Sequence, residues 1–469
     1  MAGMDNALPQ GRIRRTMPLA GFTARAAGGR IVAGLREKAG TPGAVDRYHE
    51  RTAERYAELL GHSKGVLMKA GQILSMVDPA IVGGGEFSPY QKALTRLQTD
   101  APPMDARLAV DILEAELGCS VADIFAEFSP APMAAASIGQ VHRAKLHDGR
   151  DVAVKIQYPG VAEAIRNDLA NTELLTTFAR FATAASGTTM PDLRVVTREI
   201  AARIAEEVDY RHEAANIAAF SELYRNHPFI RVPAVVDEAS GNRVLTMTYL
   251  DGMNWAAAQQ ADQNLKDIWA ETIWRFVAGS YRHANLFHAD PHPGNYRFGA
   301  DGTVGFLDFG CVKFIPELLR GQIVAMLRAI IEGRDEDMRE LMVAVGFFDH
   351  DSSITTEEAR QWYADISREL LVAQPVTFES ASVRRAVAAF IDVRDADHVV
   401  RRMSVPEDLV VTTRINLNVN AICTALNATI YLRALVDDLD GVAEPVTILG
   451  KQHADWVRER GLPFGCDPR

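Results

Sequence analysis

The spacing of apolar residues changes from helical to strand-like and back along this chain. From about 45 to 76 the apolar positions recur at near-helical spacing, and 111–117 repeats that pattern. Between Met133 and Gln157 they alternate with polar positions, and Asp148-Gly149 separates two such runs. Because Asp-Gly is a preferred two-residue turn, the pattern predicts a β-hairpin there.

After residue 158 helical patterns dominate, with two strand-rich interruptions. Long helical segments are predicted at 161–185, 192–224 and 255–283, and strands within 232–249 and 286–309. The remainder to about 457 is mostly helical. The order predicts an α+β protein in four parts: an arm (1–45), a helical extension (46–130), a strand-rich segment with a long helical insert (131–252) and a mostly helical segment (253–469).

Net charge limits the classes of partner. The formal charge of −11 and pI near 5.6 argue against a nucleic-acid-binding protein. The first 40 residues are the exception, because seven Arg and Lys residues against Asp5 and Glu37 give this segment +5. Two hypotheses remain for the arm: it is a disordered or protein-docked segment, or it is a basic segment in peripheral contact with a membrane.

The cysteines and the hydropathy indicate a cytoplasmic setting. The four cysteines are scattered without metal-ligand spacing, which favours reduced thiols. No window approaches 18 uninterrupted apolar residues, so no spanning helix is expected. We therefore expect a cytoplasmic protein, with peripheral membrane contact through the arm as the alternative.

The most specific chemical signal is a loop followed by a metal-binding tripeptide. Segment 288–295 reads HADPHPGN, and 308–310 reads DFG. In kinases an Asp positions the nucleophile, an Asn five residues later helps to hold a metal ion, and the DFG Asp binds Mg²⁺. Asp290, Asn295 and Asp308 have this order and spacing. The alternatives are an ordinary surface loop, or a transition-metal site that uses His288 and His292.

A second signal is the strand sequence Val-Ala-Val-Lys at 152–155, close to the kinase strand whose lysine contacts the phosphates. Lys155 is therefore the predicted phosphate-binding lysine. Its expected partner is a carboxylate on a following helix. The candidates are Glu199, Glu206, Glu207, Asp209 and Glu213.

The segment before this strand departs from the glycine-rich loop of kinases. It reads AAASIGQ at 134–140, so Ala135 and Ala136 carry a Cβ where glycine would let the backbone approach phosphates. The expected result is a nucleotide geometry unlike that of ordinary kinases. Taken alone, such a run is more often a packing contact of small residues.

Together these motifs resemble the UbiB/ADCK family of atypical kinases over about residues 60 to 330. The resemblance rests on the KAGQ run at 69–72, the Ala-rich loop, Lys155, the EVD run at 207–209, the 288–295 loop and Asp308. It implies a bilobal protein-kinase-like α+β fold with an N-terminal helical extension, and ATP and Mg²⁺ as cofactors.

The resemblance also implies residue roles. Asp290, Lys155 and Glu213 are expected to be catalytic, with Glu213 pairing with Lys155, and Asn295 and Asp308 to hold the metal. The expected regulatory residues are Lys69, Gly71, Gln72, Glu207 and Asp209. The expected nucleotide-binding residues are Ala135, Ala136, Ser137, Gly139, Gln140, Val141, Ala153, Lys155, Met247 and Tyr249.

The expected activity is ATP hydrolysis or phosphoryl transfer to a small or lipid-like acceptor. No Ala-Pro-Glu follows Asp308, and Pro316 soon opens a helix, so the peptide-docking segment of protein kinases is missing. The family implies a role in isoprenoid quinone or related prenyl-lipid metabolism. Two alternative hypotheses of function remain: a nucleotide-sensing scaffold without catalysis, and an aminoglycoside-type small-molecule phosphotransferase.

Overall fold

The computed structural model describes residues 50–51, 104–136, 138–163, 209–382, 399–404 and 406–467. Their helices are α1 (Ala106–Leu117), α2 (Val121–Ile124), α3 (Tyr210–Leu223), α4 (Trp255–Ala258), α5 (Gln263–Ala284), α6 (Glu317–Glu332), α7 (Asp335–Val345), α8 (Thr356–Ile366), α9 (Arg368–Leu371), α10 (Glu407–Ala425), α11 (Leu432–Leu439) and α12 (Ile448–Glu459).

The strands of the described residues are short except for one hairpin. They are β1 (Phe125–Phe128), β2 (Ala134–Ala135), β3 (Gly139–Leu146), β4 (Asp151–Gln157), β5 (Ile230–Arg231), β6 (Val244–Thr248), β7 (Leu286–His288), β8 (Tyr296–Phe298), β9 (Val304–Phe306), β10 (Val312–Phe314), β11 (Val376–Thr377) and β12 (Thr429–Ile430). The fold is α+β, as predicted.

The chain divides into two compact units. The first contains the chain to His212 together with Val235–Tyr249, and the second contains Glu213–Ala234 and Leu250–Arg469. Helix α3 begins in the first unit and continues in the second.

An antiparallel sheet is the centre of the first unit. Its strand order is β1-β3-β4-β6, with β2 also pairing with β3. The predicted hairpin joins β3 and β4, and Gly149 in its turn has φ 87°, a conformation that glycine adopts without strain. Helix α1 begins where the Asp105 side chain accepts the N–H of Arg107, and it ends at Gly118. It contacts β4.

The second unit places small sheets among helices. Strands β5, β9 and β8 form one sheet, β10 pairs with β7, and β11 pairs with β12. The core beneath β9 includes Phe276 of α5 and Phe306, whose ring centroids lie 3.6 Å apart. A second apolar cluster joins α6, α7 and α8 around Met338 and Trp362.

Two elements differ from the sequence prediction. The helix predicted over 255–283 is interrupted, because Asp262 caps α5 by accepting the N–H of Asn264. Strand β1 was not predicted. In the part of the chain that the structure describes, no helix has both the length and the apolar character needed to span a membrane.

Candidate active site

Strand β4 presents Lys155 on the face of the sheet opposite its apolar core. Successive side chains of a strand point to opposite faces. Val152, Val154 and Ile156 are fully buried on one face. Ala153 and Lys155 therefore share the other face.

Cross-strand register adds further predicted nucleotide-binding residues to this face. Val141 of β3 lies opposite Lys155, and Met247 of β6 lies opposite Ala153. Directly opposed residues of antiparallel strands share a face. The backbone N–H of Tyr249 donates to the carbonyl of Asp151 at 2.9 Å, which extends the same row.

Lys155 is shielded from solvent in the first unit. Its side chain is buried, with 9% exposure, and Nζ lies 5.0 Å from the ring centroid of Tyr210. A cation over an aromatic face is favourable, especially where water is excluded. Glu213, its expected partner, is buried at 3% exposure in the second unit. The pairing of Lys155 with Glu213 stays a prediction.

The Ala-rich segment forms a tight hairpin with β3. Ala135 pairs with Gln140, and Ala136 exchanges backbone hydrogen bonds with Gly139 at 2.9 and 3.5 Å. A Cβ at Gly139 would lie 2.1 Å from the carbonyl oxygen of Ile156. The sheet itself therefore requires glycine at this position, whether or not a nucleotide binds here.

Gln140 lies on the face opposite Lys155. Its Oε1 accepts the backbone N–H of Met104 at 2.8 Å, and its Nε2 donates to Nε2 of His142 at 2.8 Å. His142 Nδ1 then donates to the carbonyl of Ser129 at 2.8 Å. The side chain of Gln140 is thus used inside the unit, and a nucleotide contact would have to come from its backbone.

In the second unit, the pairing of β7 with β10 holds the predicted catalytic loop (288–295) against the predicted metal-binding tripeptide (308–310). The N–H of Ala289 donates to the carbonyl of Cys311 at 2.9 Å. His288 Nε2 donates to the backbone carbonyl of Asp308 at 2.6 Å. The residues just before Asp290 are therefore tied directly to the segment that carries Asp308.

The β8–β9 hairpin places Asn295 next to the same segment. Tyr296 lies opposite Phe306, and the N–H of Leu307 donates to the carbonyl of Asn295 at 3.0 Å. Leu307 directly precedes Asp308. The β8–β9 hairpin therefore brings the two ends of the 295–308 segment together.

Phe309 anchors the tripeptide. Its ring is fully buried, with centroids 5.0 Å from Phe220 and 5.2 Å from His288. Asn216 Nδ2 donates to the carbonyl of Phe309 at 2.8 Å, and the Asp308 carboxylate accepts the N–H of Gly310 at 2.9 Å. Hydrogen bonds therefore hold the backbone on both sides of Asp308, the predicted metal ligand.

Oxygen donors at this site suit Mg²⁺. Asp290, Asn295 and Asp308 are each half-buried, so their side chains remain accessible in part. A carboxylate and an amide oxygen on adjoining segments are ligands that Mg²⁺ prefers, and this ion keeps several waters besides. The donor set fits the predicted cofactor.

The two histidines of the loop have structural roles. Burial lowers the pKa of His288 despite the opposing effect of its hydrogen bond to Asp308, so the ring is neutral and Nε2 carries the proton. His292 Nδ1 accepts the N–H of Gly294 at 3.2 Å and closes a short turn. Among the described residues no group of three or more His, Cys, Asp and Glu is arranged to hold a metal ion.

Several predicted residues lie outside the described part of the chain. They are Lys69, Gly71, Gln72, Ser137 and Glu207, together with the basic arm. Asp209 is described and exposed, and its Oδ1 accepts the N–H groups of Arg211 at 3.0 Å and His212 at 3.3 Å. It therefore caps the start of α3, and its regulatory role stays a prediction.

Sequence reasoning missed Asn216. The residue lies three positions after Glu213 and so on the same face of α3, which is a signal that the helical pattern contained. Its contact with Phe309 joins residues 93 positions apart, and nothing in the sequence indicates that pairing.

The chain is similar to known proteins of one family. A family description, "ABC1 atypical kinase-like domain", matches residues 96–342. The chain is 33% identical over 305 residues to the mitochondrial atypical kinase COQ8B of Rattus norvegicus, covering 64% of this chain and 56% of that protein. It is 34% identical over 263 residues to the chloroplastic Activity of BC1 Complex Kinase 8 of Arabidopsis thaliana, covering 55% and 34%. The chain thus spans between about a third and somewhat over half of these relatives.

A solved structure matches over most of both chains. It is the complex of Rv3197 with erythromycin from Mycobacterium tuberculosis, with a TM-score of 0.59 and 31% sequence identity. The match covers 88% of this chain and 99% of that one.

Proposed function

The chain belongs to the ABC1 atypical kinase-like family, the UbiB/ADCK family that its motifs resemble, and from this premise we propose that it binds ATP with Mg²⁺ and transfers or hydrolyses the terminal phosphoryl group. One observation carries the proposal. His288 ties the catalytic loop to the carbonyl of Asp308, and Leu307 ties the same segment to Asn295. Backbone contacts therefore bring together the three segments that carry Asp290, Asn295 and Asp308 of the kinase pattern.

Each residue has a distinct role in this proposal. Asp308 and Asn295 supply oxygen ligands for Mg²⁺, which when bound offsets the negative charge of the phosphate oxygens. Asp290 accepts the proton of the attacking hydroxyl group or water. Lys155, already largely desolvated, contacts the phosphates, where its charge is worth more than it would be in water.

We propose a small or lipid-like acceptor rather than a peptide. Strand β10 begins at Val312 and α6 at Glu317, so little chain follows Gly310 to form a peptide-docking segment. The solved structure of Rv3197, a related fold, is a complex with erythromycin, which supports a small-molecule ligand rather than a peptide. A role in isoprenoid quinone or prenyl-lipid metabolism rests on the family resemblance alone.

The scaffold alternative is less well supported. A protein that only senses nucleotide does not need a proton acceptor. In this chain the proposed acceptor, Asp290, directly follows Ala289, whose backbone is hydrogen-bonded to Cys311. Aminoglycoside-type phosphotransferases share the catalytic-loop pattern of 288–295. The hairpin that contains Ala135 and Ala136 argues against this alternative.

The test is steady-state ATP hydrolysis with and without Mg²⁺, alongside thermal stabilisation by ATP. Asp308→Asn should lose Mg²⁺-dependent turnover by about a hundredfold or more and should lose the Mg²⁺-dependent part of the stabilisation. The matched control is Asp351→Asn, at an exposed aspartate of the same unit, which should behave as wild type. Unchanged Mg²⁺-dependent stabilisation in Asp308→Asn would refute the metal assignment.

A further inference from the structure

Lys155 combines a fixed backbone with a flexible side chain. Strand β4 lies between β3 and β6, where Lys155 is opposite Val141 on one side and Leu245 on the other. The register of the sheet therefore fixes its Cα atom. It does not fix the ammonium group, which lies at the end of a flexible four-carbon stem. A second contact is needed to hold that group in one place.

The ring of Tyr210 provides such a contact. Nζ of Lys155 lies 5.0 Å from the ring centroid, within the distance of about 6 Å at which the face of an aromatic ring attracts a cation. Tyr210 is 1% exposed and Lys155 is 9% exposed. Because the attraction strengthens when water is excluded, this contact is stronger than the same pair would make at the protein surface.

The position of the ring is itself fixed. Tyr210 is the first residue of α3, and the preceding Asp209 accepts the N–H groups of Arg211 at 3.0 Å and His212 at 3.3 Å. This cap closes the first turn of the helix around the backbone of Tyr210. A tyrosine side chain has only two torsions, so it loses little conformational freedom when it is buried. The ring is thus a rigid support for a flexible cation.

An aromatic ring can orient a lysine without cancelling its charge. A carboxylate carries a full negative charge, which repels phosphate, whereas the face of a ring attracts an ammonium group and has no net charge. An ammonium group over a ring can still direct its three N–H donors to oxygen acceptors. The charge of the lysine therefore remains effective toward an anion.

We propose that Tyr210 is a positioning residue for Lys155, and that its ring holds the ammonium group where the phosphates of the nucleotide bind. This inference rests on the proposed function, in which Lys155 contacts the phosphates. Binding that must immobilise a flexible side chain loses affinity. Removal of the ring should therefore weaken the binding of a ligand that carries phosphates and spare a ligand that lacks them.

The first measurement needs no nucleotide. In the full-length chain with lysine isotopically labelled at Cε, the magnetic resonance signal of Lys155 is identified by its absence from Lys155→Arg. The ring current of Tyr210 should shift this signal upfield of the exposed lysines. The shift should persist in Tyr210→Phe, which keeps the ring, and disappear in Tyr210→Leu. A wild-type signal among those of the exposed lysines would overturn the proposal.

The second measurement compares the affinities for ATP with Mg²⁺ and for adenosine, by calorimetric titration. Tyr210→Leu should bind ATP about threefold to tenfold more weakly, the affinity equivalent of immobilising one flexible side chain. It should bind adenosine like wild type, and Tyr210→Phe should bind both ligands like wild type. Equal weakening of ATP and adenosine binding in Tyr210→Leu would show that the ring only shapes the pocket, contrary to the proposal.

A series of fluorinated phenylalanines at position 210 decides the question if Tyr210→Leu fails to fold or if adenosine binds too weakly to measure. Fluorine withdraws electron density from the face of the ring and so weakens its attraction for a cation, while the shape of the ring changes little. The affinity for ATP should fall stepwise from mono- to di- to trifluorinated phenylalanine. A constant affinity across the series would refute the role of the ring.

The matched control is Phe348→Leu in the second unit, where the guanidinium group of Arg339 lies 5.4 Å from the ring centroid. This variant removes a similar contact between a cation and a ring outside the predicted site, and it should leave the affinity for ATP unchanged. Failure of the proposed function would look different. Wild type would then bind no ATP while the upfield shift of Lys155 remained, which would refute a role in nucleotide binding although the contact exists.

Discussion

His453 Nε2 lies 3.0 Å from His283 Nε2, at the centre of a buried chain of three hydrogen-bonded imidazoles. His227 Nδ1 accepts the N–H of Ile230 at 3.0 Å, so its Nε2 carries the proton and donates to His453 Nδ1 at 2.9 Å. His453 in turn donates through Nε2 to His283, whose Nδ1 donates to the carbonyl of Pro463 at 2.8 Å. One tautomer of each neutral ring satisfies the whole chain.

This buried chain of three histidines should make the stability of the protein depend on pH. Burial, and then the positive charge of nearby groups, lowers the pKa of His227 and His453 well below the usual value of 6.5. Above about pH 6.5 neither state binds these protons. Below about pH 6.5 only the unfolded state binds them. As the pH is lowered from there, the free energy of unfolding should therefore decrease by about 1.4 kcal/mol per pH unit for each histidine, until the folded-state pKa is reached.

Urea unfolding between pH 5 and 8 measures this slope. His453→Gln should be less stable than wild type at pH 7.5. Below pH 6.5 its free energy of unfolding should change less steeply with pH, because its unfolding takes up about one proton fewer. His350→Gln, at an exposed position, is the control and should leave both quantities unchanged. Equal slopes for His453→Gln and wild type would show that the ring titrates normally in the folded protein.

A second prediction concerns the ion pair between α5 and α11. Arg275 is fully buried and binds both carboxylate oxygens of Asp438 at 2.8 Å, and Glu271 at 2.9 Å. Arg275→Met should destabilise the second unit by about 3–5 kcal/mol, because it leaves a buried carboxylate without its partner. Chemical unfolding measures the loss.

The control for that prediction is an exposed pair. Arg360 and Glu357 lie 2.6 Å apart on α8, each at least a third exposed. Arg360→Met should change stability by less than about 1 kcal/mol. Similar losses for the two variants would mean that burial does not set the strength of the α5–α11 pair.

A third prediction tests why residue 139 is glycine. Gly139→Ala would bring a Cβ within 2.1 Å of the Ile156 carbonyl, so we expect at least about 2 kcal/mol of destabilisation in the first unit. Gly321→Ala in α6, where a Cβ meets nothing within 4 Å, should stabilise by about 0.5–1 kcal/mol. A neutral Gly139→Ala would show that β3 and β4 can separate at this point.

A fourth prediction gives Asn216 a positioning role. Asn216→Ala removes the donor to the Phe309 carbonyl, so the Mg²⁺ concentration for half-maximal ATP hydrolysis should rise about fivefold, with a stability loss near 1 kcal/mol. Ala219→Ser, an exposed change one turn later on α3, should alter neither. A stability loss without any change in Mg²⁺ dependence would make Asn216 purely structural.

Local features could be predicted from the sequence because their causes are local. The β3–β4 hairpin follows from alternation and from the Asp148-Gly149 turn, which act over a few residues. The order and spacing of Asp290, Asn295 and Asp308 likewise indicate a phosphoryl-transfer loop, because the pattern lies within one short stretch of chain.

The tertiary structure decided which distant residues meet. Asp438 is the buried partner of Arg275, 163 positions earlier, and no local pattern in the sequence indicates that pairing. Gln140 turned out to face away from Lys155, and His453 to join two other histidines. Helical or strand periodicity specifies a face of one element but not the element packed against it, and that pairing depends on shape and charge across the whole core.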